Sequence, residues 1–242
     1  MMLPSALPWL ARPGLAGGID KDGSRAAELL GLGFGSVEFG SVTVHPVAGS
    51  NPGLAALLAR LNRLDRSDPQ RSAIGIGLGQ PPDATAESLA EEWQAGLAAA
   101  GPIADYVSLN LSAKANQRFL APADRASLTA ALRRLAASRD RLAATGRRLP
   151  LAVKMPLGDA ASLLDTLTEC AFDQLTVVRP DSSTGWSGLA GLTDGPNRPA
   201  LVVVGGIRSA ADVAAARSAG ASGLQVHRLF AEHGATCLAR LA

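Results

Sequence analysis

Lys154 is the residue whose setting asks most for chemistry. It lies inside the apolar run Leu151-Ala152-Val153-Lys154-Met155, and a lysine within such a strand is rarely buried unless something anionic or electron-rich meets it. The plain alternative is an end-of-strand lysine reaching solvent. Asn110, set between Leu109 and Leu111 in an alternating run, turns its amide away from both neighbours. A buried amide needs partners, and a heteroaromatic ring with alternating donors and acceptors would supply them. Gly205-Gly206 follows four apolar residues, Leu201 to Val204. That pair lets the backbone turn sharply and approach a ligand with no Cβ in the way. His227-Arg228 ends the next apolar run; a guanidinium grips phosphate oxygens bidentately, and an imidazole adds a donor, more so below about pH 6.5.

These residues need elements that bring them together. The stretch from Leu201 to His227 reads as strand, glycine turn, helix and strand. Ser209 is the expected N-cap, Asp212 sits in the first turn and Gly220 stops the helix. Earlier segments repeat the alternation. Strands are expected at about 14–19, 35–43, 73–79, 106–111, 151–155 and 174–178. Helices are expected at about 24–30, 54–64, 84–100, 122–144 and 159–170. Leucines at 54, 57, 58, 61 and 64 share one helical face. Alternate glycines in Ala73-Ile74-Gly75-Ile76-Gly77-Leu78-Gly79 weaken a strand unless a ligand or another backbone packs close to it. Eight strands alternating with helices imply a parallel sheet closed as a single (β/α)8 TIM barrel, of the α/β class. The expected organisation is one domain over residues 1–242, with 1–13 as a short N-terminal extension.

In such a barrel the strands' C-terminal ends carry the chemistry. That rule selects Lys21, Ser41, Asn110, Ser112, Asn116, Lys154, Arg179 and His227-Arg228, with a phosphate expected at the glycine turn after strand 7. The alternative is that these glycines merely permit tight packing.

Composition limits the rest. At 47% apolar but only 4% aromatic, the barrel interior is expected to be layered with branched aliphatics. With 23 basic against 21 acidic residues there is no footprint for nucleic acid. No apolar run is long enough to span a membrane. Cys170 and Cys237 lack metal-type spacing, so no metal is expected, and a reduced cytoplasmic setting is the default.

The chain resembles a family at seven places in order. Gly14 to Gly23, with Gly17-Gly18-Ile19-Asp20-Lys21-Asp22-Gly23, and Gly33 to Thr43 look like the opening of class 2 dihydroorotate dehydrogenases, FMN-dependent barrels of pyrimidine synthesis. Asn62-Arg63-Leu64 is similar to their Asn-Arg-Met segment, and Tyr106 to Ser112 to the strand ending Asn-Ile-Ser. Ala152-Val153-Lys154 resembles their flavin-lysine strand, Trp186-Ser187-Gly188 their Gly-Leu-Ser-Gly loop, and Val204-Gly205-Gly206-Ile207 their phosphate turn. The resemblance implies FMN as cofactor. Lys154 would lie near the flavin N1 and O2, Ala16, Gly17 and Ser41 against its ring, and Asn110 against ring or substrate. Gly205-Gly206 would hold the phosphate, helped by His227 and Arg228, and Asn62, Ser187 and Gly188 would complete the cofactor set. Lys21, Asn110, Asn116 and Arg179 would face the substrate.

The departures count equally. Where the family has a serine that removes the substrate proton, this chain has Ala113, which has no proton-accepting atom. Lys114 follows in place of a proline, Gly77 stands for an asparagine on strand 3, Val178-Arg179 for a Thr-Asn pair, and His227-Arg228 for Tyr-Ser. The reading is therefore a flavin-dependent oxidoreductase acting on another small substrate. A dihydroorotate dehydrogenase with its base relocated is an alternative. So is a barrel that has lost FMN and redox activity and binds another phosphorylated ligand or serves as a scaffold. A homodimer is left open as the assembly.

Overall fold

In a computed structural model of the chain, residues 7–68, 70–180 and 185–242 are described. Residues 1–6 of the expected extension and residues 181–184 of the long loop after strand 6 lie outside them. The strands are β1 (Gly14–Leu15), β2 (Ser36–Val42), β3 (Ala73–Leu78), β4 (Tyr106–Asn110), β5 (Leu151–Pro156), β6 (Gln174–Val178), β7 (Ala200–Val204) and β8 (Gly223–Val226). They pair in parallel in chain order, and β8 returns to β1, with Gly14 opposite Gln225 and Leu15 opposite Val226. The helices are α1 (Ala26–Leu30), α2 (Leu54–Leu61), α3 (Leu89–Ala100), α4 (Arg125–Ala143), α5 (Leu157–Ala160), α6 (Leu164–Glu169), α7 (Ala210–Ser218) and α8 (Arg228–His233). The barrel expected from the sequence is the one observed.

Helix starts follow local side-chain bonding. Ser209 caps α7, its Oγ accepting from Asp212 N–H at 3.3 Å. The helix expected from residue 84 begins only at Leu89, because Thr85 and Ser88 bond each other's backbone amides, and such bonds compete with helix. The single helix expected over 159–170 is split into α5 and α6. Ser162 Oγ donates back to Asp159 O, and Arg125 from α4 donates to Ser162 O at 2.8 Å.

The hydrophobic core lies between strands and helices. Outward strand residues such as Val37, Phe39, Ile76, Leu109, Val153, Val177 and Val203 meet Leu57, Trp93, Leu97, Leu132 and Leu167 of the helices. The expectation of an aliphatic interior is not met. Inward positions carry Ser36, Glu38, Tyr106, Ser108, Lys154, Gln174, Thr176 and Gln225, all buried. Three contacts cross the bore: Lys154 Nζ to Glu38 Oε1 at 3.4 Å, Tyr106 OH to Glu38 Oε2 at 3.5 Å, and Gln225 Nε2 to Tyr106 OH at 3.2 Å. Glycines make the room. A Cβ on Gly75, which lies between Glu38 and Tyr106 in register, would fall 2.2 Å from Tyr106 Cζ, so that strand's glycine serves a neighbouring side chain.

A 3-10 turn at Pro8–Ala11 closes the floor. The Trp9 ring stacks on Tyr106 with centroids 5.2 Å apart, and its Nε1–H donates to Gln174 Oε1 at 3.3 Å. A Cβ on Gly35 would sit 2.1 Å from Trp9 O. Part of the segment expected to be an extension is thus packed into the barrel.

Candidate active site

At the opposite end, the strands' C-terminal ends surround a cavity of about 410 Å³. Its wall runs from Ala16 and Gly17 after β1, through Lys154 on β5 and Arg179 after β6, to the Val204–Arg208 turn and the end of β8 with His227 and Arg228. Ser112 reaches it from the loop after β4. The described lining residues include the basic side chains Lys154, Arg179, Arg208 and Arg228 and no carboxylate. The described lining of this half of the mouth is thus basic.

The glycine turn at this end packs tightly against Arg179. Gly205 and Gly206 have φ of +96° and +75°, and a Cβ on Gly205 would meet Arg179 O at 2.2 Å; only glycine fits both demands. Arg179 is held beside this turn. Its guanidinium lies 3.8 Å from the Trp186 ring centroid and donates to Gly185 O, and the residue is 4% exposed. Burial lowers its pKa and the charge of Asp212 opposes that shift; an arginine so placed stays a cation. Arg208 pairs with Glu232 at 3.2 Å. Lys154 is 5% exposed and finds its anionic partner within the chain, in Glu38.

The other half of the mouth is closed by its own side chains. Asn110 Nδ2 donates to Ser41 Oγ. Asn110 Oδ1 accepts from Ser112 N at 3.0 Å, Ser112 Oγ at 2.7 Å and Ala113 N at 3.3 Å. Asn116, 3% exposed, donates to Asn110 O at 2.7 Å. Thus Ser41, Asn110 and Asn116 stand together as expected, but they do not line the cavity. The partners of the Asn110 amide are Ser41 and its own loop rather than a waiting ring.

Four further expected residues lie elsewhere. Lys21 is exposed in a loop tied down by Asp20, whose carboxylate accepts from Gly23 N at 2.8 Å and Arg25 N at 3.0 Å. Beside it the Ser24 hydroxyl draws the Asp22 carboxyl down to about 2. Asn62 is exposed at the C-cap of α2, the end at which a helix returns to the start of the next strand, so it stands at the floor rather than the mouth. Ser187 and Gly188 are exposed in the 3-10 segment Ser187–Leu192 and outside the lining; it is their neighbour Trp186 that reaches the site, through Arg179. Ala113 is half-buried; its amide donates to Asn110 Oδ1 at 3.3 Å and its carbonyl accepts from Asn116 N at 2.8 Å and Gln117 N at 3.1 Å.

Sequence reasoning missed Glu38, Tyr106 and Gln225. Tyr106 is fully buried, and burial first, then the Glu38 charge, pushes its pKa well above the ordinary value. Glu38 had the same signal as Lys154, a charged residue in an apolar strand.

No family model matches the chain. Curated relatives do. It is 30% identical to a dihydroorotate dehydrogenase (quinone) of Stenotrophomonas maltophilia (strain R551-3), over 93% of this chain and 78% of that protein. It is 31% identical to one of Rhodospirillum rubrum, over 94% and 74%. A crystal structure of DHODH from Eimeria tenella in complex with ferulenol superposes with a TM-score of 0.78 at 21% identity, covering 95% of this chain and 79% of that one; at that identity the likeness is one of fold.

Proposed function

Because the chain belongs to the dihydroorotate dehydrogenase family, we propose that it is an FMN-dependent oxidoreductase whose substrate is a small molecule other than dihydroorotate. The observation that carries this reading is the cavity, with a lysine at its inner end, a two-glycine turn at its outer end and arginines between.

The residues present fit the group. A tight glycine turn at Gly205 and Gly206 and the side chain of Arg228 border the end of the cavity where a phosphate would lie. Ala16 and Gly17 present small surfaces on the β1 side of the cavity, against which a flat ring could lie. When bound, FMN supplies the ability to take a hydride from the substrate. Lys154 contributes positive charge where reduction adds negative charge. Arg179 orients an anionic substrate or cofactor group while Trp186 holds its guanidinium flat.

The substrate differs because the base and the floor differ. Ala113 offers no proton acceptor, and a positioned base contributes about 10²–10⁴-fold. Arg179 and Gly77 alter the surface that a neutral pair and an amide would have formed. Turnover of dihydroorotate is therefore expected to be absent or very slow, and Ala113→Ser alone should not restore it. Ordinary turnover by the unmodified protein would show that the substrate assignment is wrong.

One observation favours a second reading, a barrel without flavin that binds another phosphorylated ligand. Ser41 and Asn110 are bonded to each other and Lys154 to Glu38, so groups that could meet a flavin already have partners. The two readings part on colour. Protein that is yellow, or takes up FMN with a shifted visible spectrum, carries the first; protein that stays colourless after FMN is added carries the second.

A further inference from the structure

The buried pair of Lys154 and Glu38 ties the cavity to the centre of the bore. Glu38 is 2% exposed, and its Oε1 lies 3.4 Å from Lys154 Nζ. A Cβ on Gly17, which lines the cavity, would stand 2.8 Å from that same oxygen. The carboxylate therefore lies directly beneath the cavity wall, where little water separates it from a bound ligand. Its other oxygen faces Tyr106 OH at 3.5 Å, and that hydroxyl accepts from Gln225 Nε2 at 3.2 Å. Gly77 is next to it as well: a Cβ there would be 3.4 Å from Oε1. Where the resemblance leads one to expect an asparagine, this strand brings no amide toward Glu38, and the ammonium group of Lys154 bonds that oxygen instead.

We propose that Glu38 is a positioning residue that fixes the Lys154 ammonium and offsets part of its charge, so that the pair, not the lysine alone, sets the reduction potential of the cofactor. This rests on the FMN reading above. Two-electron, one-proton reduction leaves the flavin one unit more negative. A lone buried cation favours that change, and a carboxylate 3.4 Å from the cation opposes it across a medium that screens weakly. Taking away the negative charge while keeping the side chain's shape should raise the potential.

The test is the midpoint potential of bound FMN, read by equilibration with a reference dye, in the full-length protein and in Glu38→Gln. The expected result is at least a tenfold tightening of reduced over oxidised FMN, a rise of about 30 mV for two electrons. In a Lys154→Met background the same glutamate change should still raise the potential through its charge, but by less, because there is no ammonium left for Glu38 to position. Should Glu38→Gln not fold, Gly77→Asn carries the test without altering a buried charge. Its amide would compete with Lys154 for Oε1 and move the potential in the same direction by less. Equal potentials in variant and unmodified proteins that both hold FMN overturn the proposal and leave the cofactor reading intact. Absence of FMN binding by the unmodified protein overturns both.

Discussion

The two halves of the barrel mouth are built from similar residues and arranged to opposite effect. Around β5 to β1, a tight glycine turn and long basic side chains border a cavity of about 410 Å³. Around β2 to β4, short polar side chains bond one another, and Ser41, Asn110 and Asn116 do not line that cavity. Length and charge make the difference. Ser41, Asn110 and Ser112 are short and neutral, so donors and acceptors can be matched locally. Arginines carry donors only and need an anion, from a partner or a ligand. Short side chains fill their half of the mouth, whereas long basic ones reach their partners around a concavity.

The sharpest way to break this comparison is at its inner boundary. Lys154→Ala would leave Glu38 buried without its cation, and removing one member of a buried pair typically costs about 3–5 kcal/mol. Urea unfolding should show that loss whether or not ligand is present; a change within about 1 kcal/mol would mean that solvent already reaches the pair. Arg228→Ala tests the open half. It should weaken FMN, and inorganic phosphate with it, by about 1.5–3 kcal/mol in isothermal titration. Unchanged affinity would remove Arg228 from the anion site, and a gain for FMN would mean that its side chain plugs the cradle.

Asn110→Ala tests the closed half. Unsatisfied loop amides at residues 112 and 113 should cost about 1–3 kcal/mol of stability, with ligand affinity nearly unchanged; a large loss of affinity would make Asn110 a ligand contact after all. The smallest effect concerns the loop carrying Lys21. Asp22 is held at about 2, below its ordinary 3.8, first by the Ser24 hydroxyl. A lowered carboxyl contributes stability that is present above its unfolded value and lost as pH falls from about 3.8 toward 2. Since the group is partly exposed, Asp22→Asn should remove no more than about 0.2–1 kcal/mol of stability at neutral pH, and the difference from the unmodified protein should vanish below about pH 2.

The alternation of strands and helices was legible because each strand's outward face is apolar, as in Val153 and Met155 or Leu201 and Val203. Two parts of the cavity lining were legible for a related reason: a lysine and a glycine pair interrupt those runs. The polar interior was not, because which inward positions face one another is a matter of closure. Glu38 and Lys154 are 116 positions apart and Tyr106 and Gln225 119, and no local pattern reports either meeting. Asn110 shows another limit. That a buried amide needs partners could be read; that Ser41 and its own loop supply them could not. Asn62 was carried over on the likeness of three residues, and the topology of β2, α2 and β3 sets it at the wrong end.

Trp9 gives the molecule a direction in time. Its indole must meet Gln174, which leaves the ribosome 165 residues later, and Tyr106 in between. Leu10 must meet Gly223 on the last strand, where a Cβ would come within 2.7 Å of its side chain. The turn that closes the floor is made early and can dock only when the final strands exist, and such long-range closures are entropically late. Until then the tryptophan and the inward polar side chains of the earlier strands lack these partners. Docking of that turn is the step at which the nascent barrel loses its second entrance.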